Sequence, residues 1–185
     1  MEMKKLAEYV VQGFNEKQLK EQVIDHNIFQ VKSEARKKEI AATILIRFNV
    51  LDHYLMKQMT TTDLQTSKII ALYTIIKTDR LYYEYMHEVF SEKVSLKDLV
   101  ITDRDFNIFF EDKRKQSKRV ASWQPYTFYK LQQVYIRILF EAGLLQSKKE
   151  TRNIIIPIID QDILEHLRQV DDPKFIDVIV GGESV

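Results

Sequence analysis

The sequence predicts a mainly α-helical protein: a helical bundle followed by a winged-helix-like part that carries a small β-hairpin. Three observations predict it. Glycine and proline number only 4 and 3 in 185 residues, too few turn formers for many short strands. Apolar residues recur at gaps of three and four as far as Gly143, which is the helical period. After Gly143 that period stops, and short apolar runs flank a charged turn.

Residues 3–12 predict a short helix, ended by Gly13 in a left-handed conformation. Asn15 is the expected N-cap of EKQLKEQVIDH, with Leu19, Val23 and Ile24 turned inward. Ser33 caps a long helix, EARKKEIAATILIRFNVLDHYL, with Ile40, Ile44, Phe48, Leu51 and Leu55 in one stripe. Arg47 interrupts its apolar run and is expected to be partly buried against a carboxylate. Thr61 or Thr62 is the expected cap of DLQTSKIIALYTIIK, whose apolar centre marks a deeply buried helix. In DRLYYEYMHEVFSEK, Leu81, Tyr85 and Val89 line one side, and Tyr82, Met86 and Phe90 lie beside them. Such a stripe suits base stacking, but at helical spacing it predicts core, because aromatic rings bury large areas.

Ser95 with Asp98, and Thr102 with Asp105, have the spacing of a capping box. The second opens DRDFNIFFEDKRKQ, with Phe106, Phe109 and Phe110 as its apolar face. A short helix SKRVASW follows, and Pro125 then starts a long helix that Gly143 stops. Phe128, Leu131, Tyr135, Ile138 and Ala142 form its expected buried stripe. Tyr126, Lys130, Gln133 and Arg137 form the polar one. LLQS, KKETR and NIIIPIID read as a hairpin with a basic tip, and Pro157 marks an edge strand or its end. Asp160 or Asp162 caps a last helix, ILEHLRQV. Asp171–Pro173 breaks it, KFIDVIVGGESV adds a short strand, and Gly181 and Gly182 close a frayed end. The expected domains are residues 1–98, the bundle, and 99–185, the winged-helix-like part, with one continuous domain as the alternative.

The composition, 45% hydrophobic and 30% charged, is that of a soluble globular protein. Cysteine is absent, which excludes disulfides and thiolate metal sites. MEMKKLAEYVVQGF lacks the apolar core of a signal peptide. No apolar run approaches the roughly 18 residues a bilayer requires. A cytoplasmic protein with no membrane partner is expected.

Charge carries the functional signal. Between Lys113 and Arg152 stand ten basic residues: Lys113, Arg114, Lys115, Lys118, Arg119, Lys130, Arg137, Lys148, Lys149 and Arg152. The acids there are Glu141 and Glu150, so the segment carries about +8. The whole chain is +1, which leaves about −7 for the remainder. Such an asymmetry predicts a segment that meets an anion. In the winged-helix reading, Tyr126, Lys130, Gln133 and Arg137 face a DNA groove. Lys148, Lys149 and Arg152 on the hairpin, and Lys113 to Arg119 before it, sit on phosphates. The bland alternative is a set of solvated helix ends with no ligand. Catalysis is not expected. His26, His53, His87 and His166 are scattered, and glycine-rich phosphate loops and nucleophile elbows are absent. Asp160, Asp162 and Glu165 suit a helix N-terminus better than a metal. No catalytic residue, metal or cofactor is predicted.

Three stretches carry a family resemblance: NIFQVKSEARKKEIAATILIRFNVLD, DRLYYEYMHEVFSEKV, and DFNIFFEDKRKQSKRVASWQPYTFYKLQQVYIRILFEAGLL with its Trp123, Thr127 and EAGLL ending. In this order they resemble the BrxA family of BREX bacteriophage-defence systems, formerly described as putative inner membrane proteins. The resemblance covers about residues 27 to 145. It implies a helical protein related in part to the NusB-like fold, which binds DNA as an accessory to phage defence beside other BREX proteins. It implies no catalytic residues. Residues 1–26 match little of it. Two other functions compete with DNA binding: an adaptor that docks a larger defence protein, and RNA binding of the NusB-like kind.

Overall fold

The computed structural model describes residues 2–149, 151–170 and 174–180. The protein is mainly helical, with a small two-stranded antiparallel sheet. It forms two compact units, Met1–Thr78 and Asp79–Val185. The division falls at Thr78/Asp79 rather than at the expected 98/99. The physical reason is an aromatic cluster that ties the segment after Asp79 to later helices. Tyr85 stacks on Phe106 at 4.9 Å, and Tyr82 meets Tyr135 edge-on at 4.9 Å.

The first unit contains α1 (Glu2–Val11), α2 (Glu16–Ile24), α3 (Glu34–Phe48), α4 (His53–Thr61) and α5 (Leu64–Thr78). Gly13 ends α1 as expected, at φ 91°. Its N–H reaches the Val10 carbonyl, and that of Phe14 reaches Tyr9. The Tyr9 and Phe14 rings touch at 5.1 Å, the apolar contact that accompanies this stop. Asn15 and Gln18 form a full capping box on α2, and Leu19 and Val23 are buried. The long helix expected after Ser33 is two helices. Asp52 starts α4 by accepting the Leu55 N–H at 2.8 Å, so the chain turns at residues 49–52. The buried line of α3 is Lys37, Ala41, Ile44 and Phe48, with Ile40 and Arg47 half-buried. Asp63, not Thr61 or Thr62, caps α5: its Oδ1 accepts the N–H groups of Gln65 and Thr66. α5 is the most buried helix of this unit, from Ser67 to Ile76.

The second unit opens with α6 (Arg80–Tyr85), a π-helical turn (Met86–Ser91) and α7 (Glu92–Ser95). Tyr82, Tyr85, Met86 and Phe90 are fully buried, so the aromatic stripe is core. Ser95 is the last residue of α7, and strand β1 rather than a helix follows it. Lys97 turns the chain at φ 58°, and Asp98 pairs with Lys93 at 2.7 Å. Strand β1 (Val100–Ile101) follows, then α8 (Asp103–Gln116), α9 (Lys118–Ala121) and α10 (Pro125–Glu141). Thr102 caps α8 as expected: its N–H and hydroxyl both donate to Asp105. Phe106, Phe109 and Phe110 are buried. On α10 the fully buried residues are Tyr135, Ile136 and Leu139, and Phe128, Leu131 and Ile138 are half-buried. Gly143, at φ 81°, stops the helix; its N–H reaches Phe140, and that of Leu144 reaches Leu139.

The expected hairpin is present with an addition. Leu145 bridges Ile154, and Gln146 N–H donates to Asn153. Strand β2 (Arg152–Asn153) also pairs with β1, Val100 opposite Asn153 and Ile101 opposite Arg152. Residues 152–154 therefore run between β1 and residues 144–146. Pro157 is buried just beyond, where its missing N–H interrupts no pair. Asp160 caps α11 (Gln161–Val170) through the N–H groups of Asp162 and Ile163. The strand expected after Pro173 is a helix, α12 (Lys174–Val180), which packs on the π-helical turn. Its branched residues Ile176, Val178 and Ile179 are buried there. The expected break at 171–173 and the glycines at 181 and 182 lie outside the described residues.

Candidate nucleic-acid interface

Helix α8 ends in the basic run Lys113, Arg114, Lys115, and its period sends them different ways. Lys113 faces inward and is only 4% exposed. Its ammonium lies 2.9 Å from Glu84 and 2.5 Å from Glu88, and 5.4 Å from the Phe109 ring centre. Burial works against its charge, but the Glu88 and Glu84 carboxylates outweigh it and raise its pKa. Burial likewise pushes the Glu84 carboxyl up, and the Lys113 and Arg80 cations more than offset that, holding it below its ordinary value. Lys113 thus fastens α8 to residues 84–88 and offers nothing to a phosphate. Arg114 and Lys115 are exposed, paired with Glu111 at 3.1 Å and Asp112 at 2.8 Å.

Arg152 is the second correction. It was expected at the hairpin tip, yet it lies in β2 and is 6% exposed. Its Nη2 donates to Asp103 at 2.7 Å, and Nη1 donates to the Ile101 carbonyl at 3.5 Å. Gln132 of α10 donates to the same Asp103 oxygen at 2.7 Å. One carboxylate in the first turn of α8 therefore gathers β2 and α10. Removing the charge of Arg152 would disturb this junction and not a phosphate contact.

The other expected residues are exposed. On α10, Tyr126, Lys130, Gln133 and Arg137 stand on one stripe facing solvent, Tyr126 at 65%. Their spacing of four, three and four residues puts them on one side of a helix. Lys130 lies 5.1 Å from the centre of the Tyr126 ring, and the Tyr126 phenol raises its pKa. Lys148 lies 5.0 Å from the Phe140 ring, so the turn after Gln146 sits beside the C-terminal part of α10. Arg114 lies 5.9 Å from the Phe128 ring, beside its N-terminal part. Among the described residues, Lys118, Arg119, Arg137 and Lys149 have no carboxylate partner.

The structure thus keeps Arg114, Lys115, Lys118, Arg119, Tyr126, Lys130, Gln133, Arg137, Lys148 and Lys149 on the surface and withdraws Lys113 and Arg152. It adds Arg104, exposed in the first turn of α8 without a carboxylate partner among the described residues. Sequence reasoning passed over Arg104 because Asp103 and Asp105 flank it and cancel its charge in any local count. Among the described residues no cluster of three His, Asp or Glu side chains has the geometry to hold a metal. No described helix is long and apolar enough to cross a membrane.

Comparison with known proteins adds three findings. The crystal structure of an uncharacterized protein from Magnetospirillum magneticum matches with a TM-score of 0.81, over 97% of this chain and 92% of that one. At 20% identity that likeness concerns the fold alone. The BREX protein BrxA of Bacillus cereus (strain H3081.97) is 51% identical over 181 residues, 98% of this chain and 90% of that protein. The BrxA family model matches residues 1–171, which includes the amino-terminal 26 residues that resembled little when read alone. Half-identity along almost the entire length, with a family match that runs through both units, means that this chain belongs to the BrxA family.

Proposed function

We propose that the chain is a non-enzymatic accessory protein of a BREX-type phage-defence system, one that works in the cytoplasm and binds double-stranded DNA through its second unit. The observation that carries the reading is a set of cations, on and beside the exposed stripe of α10, that have no carboxylate partner among the described residues. Lys118 and Arg119 precede α10, Lys130 and Arg137 stand on it, and Lys148 and Lys149 follow it. A cation already held by a carboxylate gains little from a phosphate, whereas a solvated one releases the counterions of the phosphate it meets. The element order supports a winged helix: a helix, a strand, two further helices, the long α10, and a hairpin whose second strand pairs back to the first. An exposed helix so framed suits a major groove, with the hairpin turn on the adjoining backbone. Kinship with the BREX protein BrxA of Bacillus cereus supports the defence setting and other BREX proteins as neighbours.

The test is fluorescence anisotropy on short random duplex DNA at several salt concentrations. The variant is Lys148→Glu with Lys149→Glu, Arg152 being left intact because it is internal. The expected result is an affinity that falls steeply with salt, with a shallower slope in the variant. Equal slopes would remove the hairpin turn from the interface. Duplex RNA of the same sequence tests the RNA alternative.

A second reading, an adaptor for another defence protein, has its own observation. A groove of about 450 Å³ beside α8 exposes Leu96 and Ile108, at 70% and 52%, next to Glu88, Glu92 and Asp112. If Ile108→Asp abolishes capture of a BREX protein while DNA shows no affinity at low salt, the adaptor reading replaces the first.

A further inference from the structure

A second groove, about 500 Å³ in volume, lies on the other side of α8, against the start of α10. Its chemistry differs from that of the cationic face around it. Phe128 and Trp123 meet at 5.8 Å, and Phe110 touches Phe128 at 5.4 Å. Tyr129 completes the aromatic lining, which Trp123 closes from the linker before Pro125. Asn107, Glu111 and Arg114, one stripe of α8, supply polar groups along the edge. The Asn107 amide has no hydrogen-bond partner among the described residues. We infer that this groove holds a single unpaired nucleobase of a bound DNA strand.

The inference rests on the DNA-binding reading and deepens it. Ring walls accept the face of a planar heterocycle, and a base offers that face only once it leaves the stack. The edge groups match what such a base presents. The Asn107 amide both donates and accepts; Glu111 and Arg114, paired with each other at 3.1 Å, keep a second carboxylate oxygen to accept from an exocyclic amine and further guanidinium N–H groups to donate to a carbonyl or ring nitrogen. The volume falls in the usual range for small-molecule sites. An anion is a poor occupant, because Arg114, the cation of this lining, is already held by Glu111 at 3.1 Å. The phosphates of the strand belong outside, where Lys118 and Arg119 stand uncompensated just before the linker that carries Trp123.

Trp123 is the only tryptophan of the chain, so its emission reports on this groove alone. The full chain is titrated with three short duplexes of one sequence: fully paired, with one unpaired 2-aminopurine, and with an abasic position in place of that base. The expected result is roughly tenfold tighter binding of the unpaired-base duplex, near the low end of base–aromatic stacking. Trp123 emission is quenched by that duplex only, and 2-aminopurine emission falls with it. Trp123→Ala removes the tenfold advantage and leaves salt-dependent binding of the paired duplex. Asn107→Ala, at an exposed position, reduces the advantage in part. Equal affinities for all three duplexes, with unchanged Trp123 emission and a steep salt dependence, would overturn the groove's role and leave DNA binding standing. No binding of any duplex at low salt would overturn both.

Discussion

In residues 2–78, Lys20 pairs with Glu16, Arg36 with Glu39 and Lys37 with Glu34, each within one helix and one turn apart. In residues 79–180, Lys113 reaches Glu84 and Glu88, and Arg152 reaches Asp103, across elements far apart in sequence. The cores differ in the same sense. The first unit buries mostly aliphatic and methionine side chains, with Phe48 and Tyr73 as its aromatics. The second is built on Tyr82, Tyr85, Phe90, Phe106, Phe109, Phe110 and Tyr135. An aliphatic core asks little of its neighbours in direction, and these three pairs join residues of a single helix, although Lys37 also donates to the Ile24 carbonyl. Flat rings set the angle between helices, and the long ion pairs hold those angles. The contrast teaches that a cation count has a different meaning in each unit. In the second, part of the basic charge is internal framework, and only the rest is available to a ligand.

Core deletions give the largest expected effects. Phe106→Ala removes a ring stacked on Tyr85 and should cost about 4 kcal/mol, against about 3 kcal/mol for Ile44→Ala in α3. Urea denaturation measures both. A larger loss at Ile44 would break the idea that the aromatic core is the more exacting one.

Lys113→Met comes next. It leaves Glu88 without its Lys113 partner and Glu84 with Arg80 alone, and should cost about 3 kcal/mol. Lys115→Met, two residues on, removes an exposed pair worth about 0.5 kcal/mol or less. Equal losses would mean that Lys113 is as solvated as Lys115.

Acidity separates the same pairs by protonation. Glu84 is held below its ordinary carboxylate value, so the folded form binds fewer protons there than the unfolded one. Its contribution is complete above about pH 4.5, the ordinary value, and is lost as pH falls through the lowered one. Lys113 has the opposite sign: raised from 10.5, its contribution is complete below that pH and is lost as pH rises through the folded value. Thermal melts of Glu84→Gln should therefore show a flatter acid limb than the natural chain. An unchanged limb would transfer the acid sensitivity to other carboxylates.

The smallest effect on stability is expected at the surface. Lys118→Ala with Arg119→Ala should shift the melt by less than about 0.5 kcal/mol per residue, while weakening DNA at low salt. A large destabilisation would place these residues in the framework with Lys113.

Much of the fold is legible in the chain, because its signals are local. Pro125 and Gly143 bracket α10, Asn15 and Thr102 announce their helices through residues three positions on, and the tyrosines after Asp79 follow a helical period. The misses share a cause. α3 stops at Phe48 and Asp52 starts α4 within what reads as one helical apolar stripe, and only the backbone reveals that its side chain is a cap. KFIDVIV has the branched residues of a strand, yet packing on the π-helical turn makes it a helix. At the candidate interface, residue type identifies cations but not their partners. Arg152 is withdrawn by Asp103, 49 residues away, and a charge sum weighs it the same as Lys149. The aromatic groove was invisible for the same reason, since Asn107 and Trp123 meet only when α8 and α10 pack.

The π-helical turn at Met86–Ser91 bears on how this region tolerates change in length. Four residues overshoot a turn of α-helix by about 40°, so Tyr82, Met86, Phe90 and Val94 would spiral away from one another in a uniform helix. The wider turn takes up that drift, and all four remain buried. Such a turn is an α-helix that has absorbed one more residue. Deleting a single residue between 86 and 91 would restore regular winding, and would rotate Phe90 and Val94 out of the core together with the seat of α12. Loss of one codon here is thus a more damaging change than most substitutions, and an aligned homologue one residue shorter in this stretch would need a differently filled core.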